Sequence, residues 1–376
     1  MALIIYADRL VDAQGGNISA KNLREKFSGA AQIRQSLEKK DCRIAYLFID
    51  PLLDAFEAAN RFYFDILGCR DISTLNIYRS GCSPIQALAD AKTLLDNDLA
   101  DAAFIFGHEP LSTLKQTKGK PALQEAMDIF EEMSIPAGYN SLAHRLIELL
   151  GISREDFLDI SNRLYANYLR TYPGDDPGRA DRTKYLEGMD ADLFTLTDCA
   201  NPYVDFSSGV IVTSAAVADA LAVPKEKRTE LRAAKYNIVG DGPAHIDVIA
   251  GSQDDIFPHV RRAYERACKE ADLDFAREFK AGNALLEVYT CYPPIPIGFL
   301  LATKIADRIE QIAPLLEQHA ITVTGGMSLA RAPWNNPALN GLIALIEELP
   351  RTNKEYGLVH GNGGLGGLQG VAILKK

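Results

Sequence analysis

The sequence predicts an α/β protein built around a mostly parallel sheet, and three observations support that prediction. Short apolar runs rich in β-branched or aromatic residues alternate with helical patterns along the 376 residues. Glycine-rich turns follow two of these runs, at residues 325–326 and 361–367. A chain of this length is long for a single core, so two domains or two fused halves are expected.

The first half contains the pattern of a βαβ unit. Residues 43–50 and 73–78 are predicted as strands, and the second of them leads into the turn at 79–82. Residues 83–95 are predicted as a helix, and Pro84 is compatible with it because proline is tolerated in the first helical turn. A further strand is predicted at residues 102–107.

The same order recurs late in the chain. We predict a strand at 320–324, an irregular turn, a helix at 337–349 and a strand at 356–360 that ends in glycine. The repetition indicates two duplicated halves, residues 1–232 and 233–376. An insertion is predicted at about 110–202, because helical patterns there give way to polar, turn-rich sequence.

Composition excludes several classes of function. The net charge of −10 argues against nucleic acid as a partner. The six cysteines contain no C-x-x-C pair and no signal peptide is visible, so a reduced cytoplasmic compartment is expected. No apolar run approaches the roughly 20 residues of a membrane span. The histidines lack ligand spacing, so no metal site is predicted.

Three side chains are candidates for chemistry, and each has a structural alternative. Cys82 is predicted where a strand meets a helix N-terminus, which favours a thiolate, but it equally fits a small buried cysteine beside a turn. Cys291 precedes a proline-rich turn, and it is either a proton donor or a residue that fills the core. His360 is either a general acid–base or a hydrogen-bond partner of a turn carbonyl.

Two further sequence patterns bear on ligand binding. Residues 361–366 formally match G-x-G-x-x-G, but a strand-like run follows instead of the helix that a dinucleotide site requires, so we reject that reading. Basic residues form two clusters, which are either solvated faces or phosphate sites. The clusters are Arg179, Arg182 and Lys184, and Lys225, Lys227 and Arg228 with Arg232.

Taken together, the glycine turns resemble the thiolase superfamily. Residues 322–336 read Thr-Val-Thr-Gly-Gly-Met-Ser-Leu-Ala-Arg-Ala-Pro-Trp-Asn-Asn, and residues 360–364 read His-Gly-Asn-Gly-Gly. These are similar to the G-G-P-W-N-N and G-N-G-G turns of the divergent acetyl-CoA acetyltransferase-like branch. Residues 286–293 look like its Y-S-C-F-P strand end, which replaces the H-D-C-F loop of sterol-carrier-type thiolases.

The resemblance implies a thiolase fold of two duplicated βαβαβαββ halves in five layers, α-β-α-β-α, with an inserted loop domain, usually as a dimer. It also implies a coenzyme A thioester as substrate and no covalently bound cofactor. A cysteine takes the acyl group, a second cysteine handles the proton, and two oxyanion holes hold the thioester oxygens.

Carried over by motif, Cys82 lies at the family's nucleophile or one position beyond it, and an ungapped alignment puts Gly81 there instead. Cys291 matches the proton-donating cysteine of H-D-C-F, and Tyr289 stands where that motif has histidine. Ala332 occupies the place of the G-H-P histidine of ordinary thiolases.

The resemblance also assigns the turns and the basic clusters. His360 is expected to orient or activate, and the basic clusters are expected to bind the phosphates of coenzyme A. The predicted oxyanion and loop residues are Tyr289, Gly325, Gly326, Asn362, Gly363 and Gly364.

The favoured function is therefore an acyl-CoA C-acyltransferase that makes or cleaves a C–C bond in a 3-oxoacyl-CoA through a cysteine acyl-enzyme. The alternative is a catalytically impaired thiolase-fold subunit that binds coenzyme A, or that partners a catalytic thiolase or a zinc-ribbon/OB-fold protein. A third, weaker option is a condensing enzyme that decarboxylates a malonyl thioester, for which only Cys82 and His360 begin to supply the residues.

Overall fold

A computed structural model describes residues 1–53, 55–130, 133–174 and 182–376 of the chain. The strands within these residues are β1 Ala2–Asp12, β2 Ile44–Ile49, β3 Leu75–Tyr78, β4 Ala102–Pro110, β5 Tyr185–Leu186, β6 Ala191–Thr195, β7 Asp205–Ser214, β8 Thr229–Ile238, β9 Gly251–Ser252, β10 Asp255–Ile256, β11 Ala284–Glu287, β12 Tyr356–Gly363 and β13 Leu368–Lys375.

The α-helices of the described residues are α1 Ala20–Lys26, α2 Ser28–Glu38, α3 Ala55–Asn60, α4 Ser83–Asp96, α5 Leu111–Lys118, α6 Lys120–Met127, α7 Ile135–Leu150, α8 Arg154–Leu169, α9 Ala215–Ala220, α10 Ile246–Ala250, α11 Pro258–Ala271, α12 Phe275–Lys280, α13 Pro294–Ala302, α14 Ile312–Gln318, α15 Gly326–Leu329 and α16 Pro337–Glu348. A π-helical turn, Arg61–Ile66, follows α3.

Nine of the described strands form one sheet, in the order β11-β12-β13-β8-β1-β7-β4-β2-β3. The pairs β2–β3, β2–β4 and β11–β12 are parallel, and the other neighbours are antiparallel. The predicted mostly parallel sheet is therefore wrong. The local alternation of strands and helices predicts the parallel units. It carries no information on the direction of β7 and β13, which run antiparallel to their neighbours.

Strand alternation builds five layers. Phe104 and Phe106 of β4 face outward onto α1, α2 and the π-helical turn, whereas Ala103 and Ile105 face inward onto α4 and α16. Residues of β12 and β13, such as Val359, pack on the other side of the same two helices. The far face of that part of the sheet is covered by α11, α12 and α13. The layer order is thus α-β-α-β-α, with α4 and α16 at the centre.

The two halves share one strand order. From β1 outward the strands are β1, β7, β4, β2 and β3, which are the first, last, fourth, second and third sheet strands of the first half. From β8 outward they are β8, β13, β12 and β11. These correspond to the first, last, fourth and second strands of the second half. The place of the missing third strand is taken by residues 320–324, where Val288 N–H donates to the Ile321 carbonyl at 3.0 Å. The boundary between residues 232 and 233 stays a prediction, and it falls inside β8.

Most predicted elements are confirmed, with small shifts in their ends. The clearest failure is the strand predicted at 320–324, where the structure has no regular ladder. The apolar run 286–293 is also not a strand throughout, because β11 stops at Glu287 and α13 starts at Pro294. Within the predicted insertion, residues 175–181 lie outside the described residues.

Two further features are absent from the described residues. No helix there has the length and apolar character needed to cross a bilayer. No group of three or more histidine, cysteine, aspartate or glutamate side chains in this part of the chain is arranged to hold a metal ion.

The close packing of β4 on β7 predicts a large effect from one added methyl group. A Cβ at Gly209 would overlap the buried ring of Phe106, with Cδ1 at 2.7 Å. Gly209→Ala should therefore lower the free energy of unfolding by about 1–3 kcal/mol, measured by chemical denaturation. The control Gly188→Ala, where no atom lies within 4 Å of the new Cβ, should change it by less than about 0.5 kcal/mol. Equal effects would contradict this packing.

Candidate active site

The candidate site lies where two turns from different halves touch. One turn joins β3 to α4 and contains Gly81, and the other ends β12 at Gly363. A Cβ at Gly363 would lie 2.9 Å from the Ser80 Cβ, and a Cβ at Gly361 would lie 3.2 Å from the Cys82 Cα. Because these positions are glycine, the two backbones approach as closely as their atoms allow.

Cys82 is the N-cap residue of α4, as the sequence predicts, but its side chain belongs to the central core. The residue is fully buried among the apolar side chains of α4 and the two sheet halves. A Cβ added at Gly361 would sit 3.3 Å from its sulfur. Burial raises the pKa of the Cys82 thiol well above its ordinary value. The role of Cys82 as acyl acceptor stays a prediction.

Gly81, rather than Cys82, faces the other site residues. A Cβ at this position would overlap both the hydroxyl oxygen of Tyr289 and the carbonyl oxygen of Asn362, and would lie 2.8 Å from the Tyr289 Cζ. Of the two alignments that the sequence leaves open, the one that puts Gly81 in the site agrees with this direction. A side chain that reaches toward Tyr289 is therefore absent, and the tyrosine hydroxyl occupies its space.

Cys291 lies between β11 and α13, buried with its neighbours. The side-chain amide nitrogen of Asn362 donates to its sulfur at 3.8 Å, and the Tyr139 hydroxyl lies close to it. Burial raises the pKa of the Cys291 thiol to about 12, although the nearby Tyr139 hydroxyl and backbone N–H groups oppose that rise. At neutral pH the group is a protonated thiol that can give, but rarely take, a proton.

Tyr139 of α7 completes this group. No sequence signal points to it, because it lies in the insertion and belongs to no motif. Its hydroxyl donates to the Gly364 carbonyl and accepts from Asn362 Nδ2 at 2.9 Å. Its ring stacks on Tyr292 at a centroid distance of 4.3 Å. Asn362 Oδ1 is buried without a partner among the described residues, so one acceptor in this group remains available.

His360 is close to the site but is held in the neutral form. Its Nδ1 accepts from the Tyr289 N–H at 3.4 Å, and its Nε2 bonds to Gln369 Oε1 at 2.8 Å, which assigns the proton to Nε2. The ring stacks on Phe299 at 4.3 Å. Burial lowers the pKa of His360 to about 3. The residue therefore positions Tyr289, and no hydrogen bond joins it to Cys82 within the described residues.

The glycine turns expected to form oxyanion holes are held in place by neighbouring groups. Asp241 Oδ1 accepts from the N–H groups of Leu365 and Gly367 at 2.9 and 3.1 Å, and its carboxylate lies against Gly364. The other predicted turn, Gly325 and Gly326, has positive φ angles of 92° and 76° and packs on the end of α8. These turns fix backbone shape, and an oxyanion role for them remains a prediction.

The basic residue Arg182 has a structural partner set. Its guanidinium bonds to Asn162, Thr197 and Asp198 at 2.6–2.8 Å, which ties the insertion together. Arg179 lies outside the described residues, and Lys184 lies next to β5. For neither of these two does the structure test the predicted contact with coenzyme A.

The second basic cluster lies far from the site. Lys225, Lys227 and Arg228 immediately precede β8. Glu230 of that strand pairs with Lys375, which pairs with the first residue of β12, whereas Asn362 lies near the end of β12. These three residues thus lie at the opposite end of the strands from Cys291. Their predicted place in the same coenzyme A site has no support in this geometry.

The comparisons with known proteins bear on the fold. No family model and no curated protein matches the sequence. Among solved structures, a monomeric SCP2-thiolase-like protein type 1 from Mycobacterium smegmatis matches with a TM-score of 0.71 and 17% identity, over 100% of this chain and 77% of that one. This chain has the thiolase fold. Human mitochondrial 3-ketoacyl-CoA thiolase matches with a TM-score of 0.65 and 15% identity, over 100% and 98%.

Within this thiolase fold, Glu287 is a buried group that the sequence did not single out. Its carboxylate accepts from the N–H groups of Val323 and Thr324 at 2.6 and 3.1 Å and from the Thr324 hydroxyl. Burial raises its pKa to about 7, although these bonds oppose the shift. The side chain thereby holds the segment that leads into Gly325 and, further on, to Ala332.

The raised pKa of Glu287 predicts a dependence of stability on pH. Because the folded protein binds this proton more tightly than the unfolded chain, stability falls as pH rises from about 4.5 to about 7 and then levels off. The wild type should lose about 3 kcal/mol relative to Glu287→Gln across this window, as measured by urea denaturation. Parallel pH profiles for the two proteins would show that Glu287 does not titrate in this range.

Proposed function

We propose that this protein is a thiolase-fold subunit that binds a coenzyme A thioester without forming an acyl-enzyme, and that associates with a second thiolase-fold chain. The single observation that carries the proposal is the direction of Gly81. This position faces Tyr289 and Asn362, and it has no side chain that could accept an acyl group.

Three further features support the loss of acyl transfer. Cys82, the neighbouring thiol, is fully buried in the central core. His360 is neutral and bonded to Gln369, so it is not placed to activate a thiol. Ala332 stands where ordinary thiolases are expected to have histidine. Since loss of one oxyanion-hole donor typically costs about 10²–10³ in rate, several losses together leave little activity.

A second candidate function is the acyl-CoA acyltransferase, and Cys291 is the observation that favours it. The thiol keeps a hydrogen bond from Asn362 and lies close to the Tyr139 hydroxyl, in a buried setting suited to proton transfer. In that reaction the Cys82 sulfur would form a bond to the acyl carbon, the thioester bond to coenzyme A would break, and the departing thiolate would take the cysteine proton.

Incubation with acetoacetyl-CoA separates the two candidates. We expect no acetyl adduct on any cysteine by intact mass and peptide mapping, because the position facing Tyr289 is Gly81, while calorimetry with acetyl-CoA should still register binding. An acetyl adduct on Cys82 that is lost in Cys82→Ala, but kept in Cys199→Ala, another buried cysteine, would favour the acyltransferase. Absence of binding would overturn the coenzyme A part of the proposal.

Association is supported by the open edge of the sheet. One side of β3 pairs with β2, and no described strand covers its other side. Ile77 on this strand is 44% exposed. An exposed apolar residue on an edge strand favours pairing with another chain. A second thiolase-fold chain, either another copy of this chain or a catalytic thiolase, would cover this edge.

The edge strand gives a specific prediction for the isolated protein. Analytical ultracentrifugation should show a dimer for the wild type and a monomer for Ile77→Asp, because a charge on an edge strand opposes pairing. Leu99→Asp, which changes a residue that is 63% exposed in the turn before β4, should leave the dimer intact. A wild-type monomer that also fails to bind a thiolase chain would contradict association through β3.

A further inference from the structure

A slot opens at the outer edge of the second half, away from the candidate active site. It lies between β11 and residues 318–323 and has a volume of about 390 Å³. Its walls include the apolar side chains of Phe279, Leu285 and Val323. Leu285 and Val323 are only half-buried, so apolar surface is available inside the slot.

The backbone of β11 presents unpaired polar groups to this slot. In a parallel ladder, alternate residues of a strand direct both N–H and C=O to the same side. The Asn283 carbonyl accepts from the N–H of Tyr356 on the β12 side, whereas the Val288 N–H points the other way, to Ile321. By this alternation Ala284 and Leu286 direct their N–H and C=O groups into the slot, and no described residue bonds to them there.

The facing segment does not close the gap. Val323 and Thr324 give their N–H groups to the Glu287 carboxylate rather than to the backbone of β11. A single bond, from Val288 to Ile321, is all that joins the two backbones among the described residues. Buried or half-buried strand edges of this kind need partners, because an unpaired backbone group in a dry site costs stability.

The charges are concentrated at one end of the slot. Lys354 donates to the carbonyl of Gly282, which precedes β11, and His319 packs on Phe279 at a ring distance of 5.2 Å. Burial lowers the pKa of His319, and the nearby charges of Lys354 and Arg170 lower it further. Glu348 also lines the slot, but its carboxylate lies 3.8 Å from the Arg351 guanidinium, so the charges of Lys354 and Arg170 leave this end positive.

We propose that this slot binds a short extended peptide that ends in a carboxylate and lies antiparallel to β11. Its backbone pairs with the N–H and C=O groups of Ala284 and Leu286, which are spaced at about 6.6 Å as strand pairing requires. Its carboxylate lies near Lys354 and His319 at the amino end of β11. Alternate side chains of the peptide rest on Leu285 and Val323. This site is separate from the function proposed above.

A fluorescent Val-Thr repeat peptide tests the proposal by polarisation with the full-length protein. The peptide with a free carboxyl end should bind, and its carboxamide should bind about tenfold more weakly, which corresponds to about 1.4 kcal/mol. Lys354→Met should produce the same loss for the free acid. Lys21→Met, at an exposed lysine of α1, serves as the matched control and should bind as the wild type does.

Hydrogen exchange and a second variant exclude a purely structural effect. Bound peptide should slow exchange at the amides of Ala284 and Leu286, which face the slot. Ala320→Phe, which fills the slot but keeps Lys354, should abolish binding while the thermal transition is retained. No binding of the free acid, equal binding of the carboxamide, or protection confined to other strands would each overturn the proposal.

Discussion

The contact between the β3–α4 turn and the end of β12 governs the rest of the molecule. Gly81, Gly361 and Gly363 let two backbones from different halves meet with no side chain between them. The central helix α4 begins at this contact, so its position between the two sheet halves depends on it. Any larger residue at these points would separate the halves and displace Tyr289 and Asn362 together.

Burial decides the chemistry of the groups around this contact. A helix N-terminus normally favours a thiolate, yet Cys82 is surrounded by apolar side chains and stays protonated. Cys291 and His360 are likewise in their uncharged forms at neutral pH. A site that excludes water so completely keeps its hydrogen bonds well ordered, but it supplies no charged nucleophile or base. This character agrees with the proposed role as a binding subunit.

The two halves share one strand order and differ at one element. In the first half the third strand, β3, pairs along β2, whereas in the second half residues 320–324 are joined to Val288 by one backbone bond. The difference arises because the Glu287 carboxylate takes the N–H groups that would otherwise seek a strand partner. The same side chain therefore explains the missing strand and the unpaired edge of β11.

The sequence by itself determined the periodic elements, the duplication and the thiolase-like turns, because strand and helix patterns and glycine positions are local properties. It placed β2, α4, β4 and α16 within a few residues. Only the tertiary structure decided what the turns hold. The β-branched run at 320–324 is a good strand by composition, but a side chain from β11 outcompetes backbone pairing there. The choice between Gly81 and Cys82 depended on which Cβ direction faces Tyr289, and direction is fixed only when both halves pack.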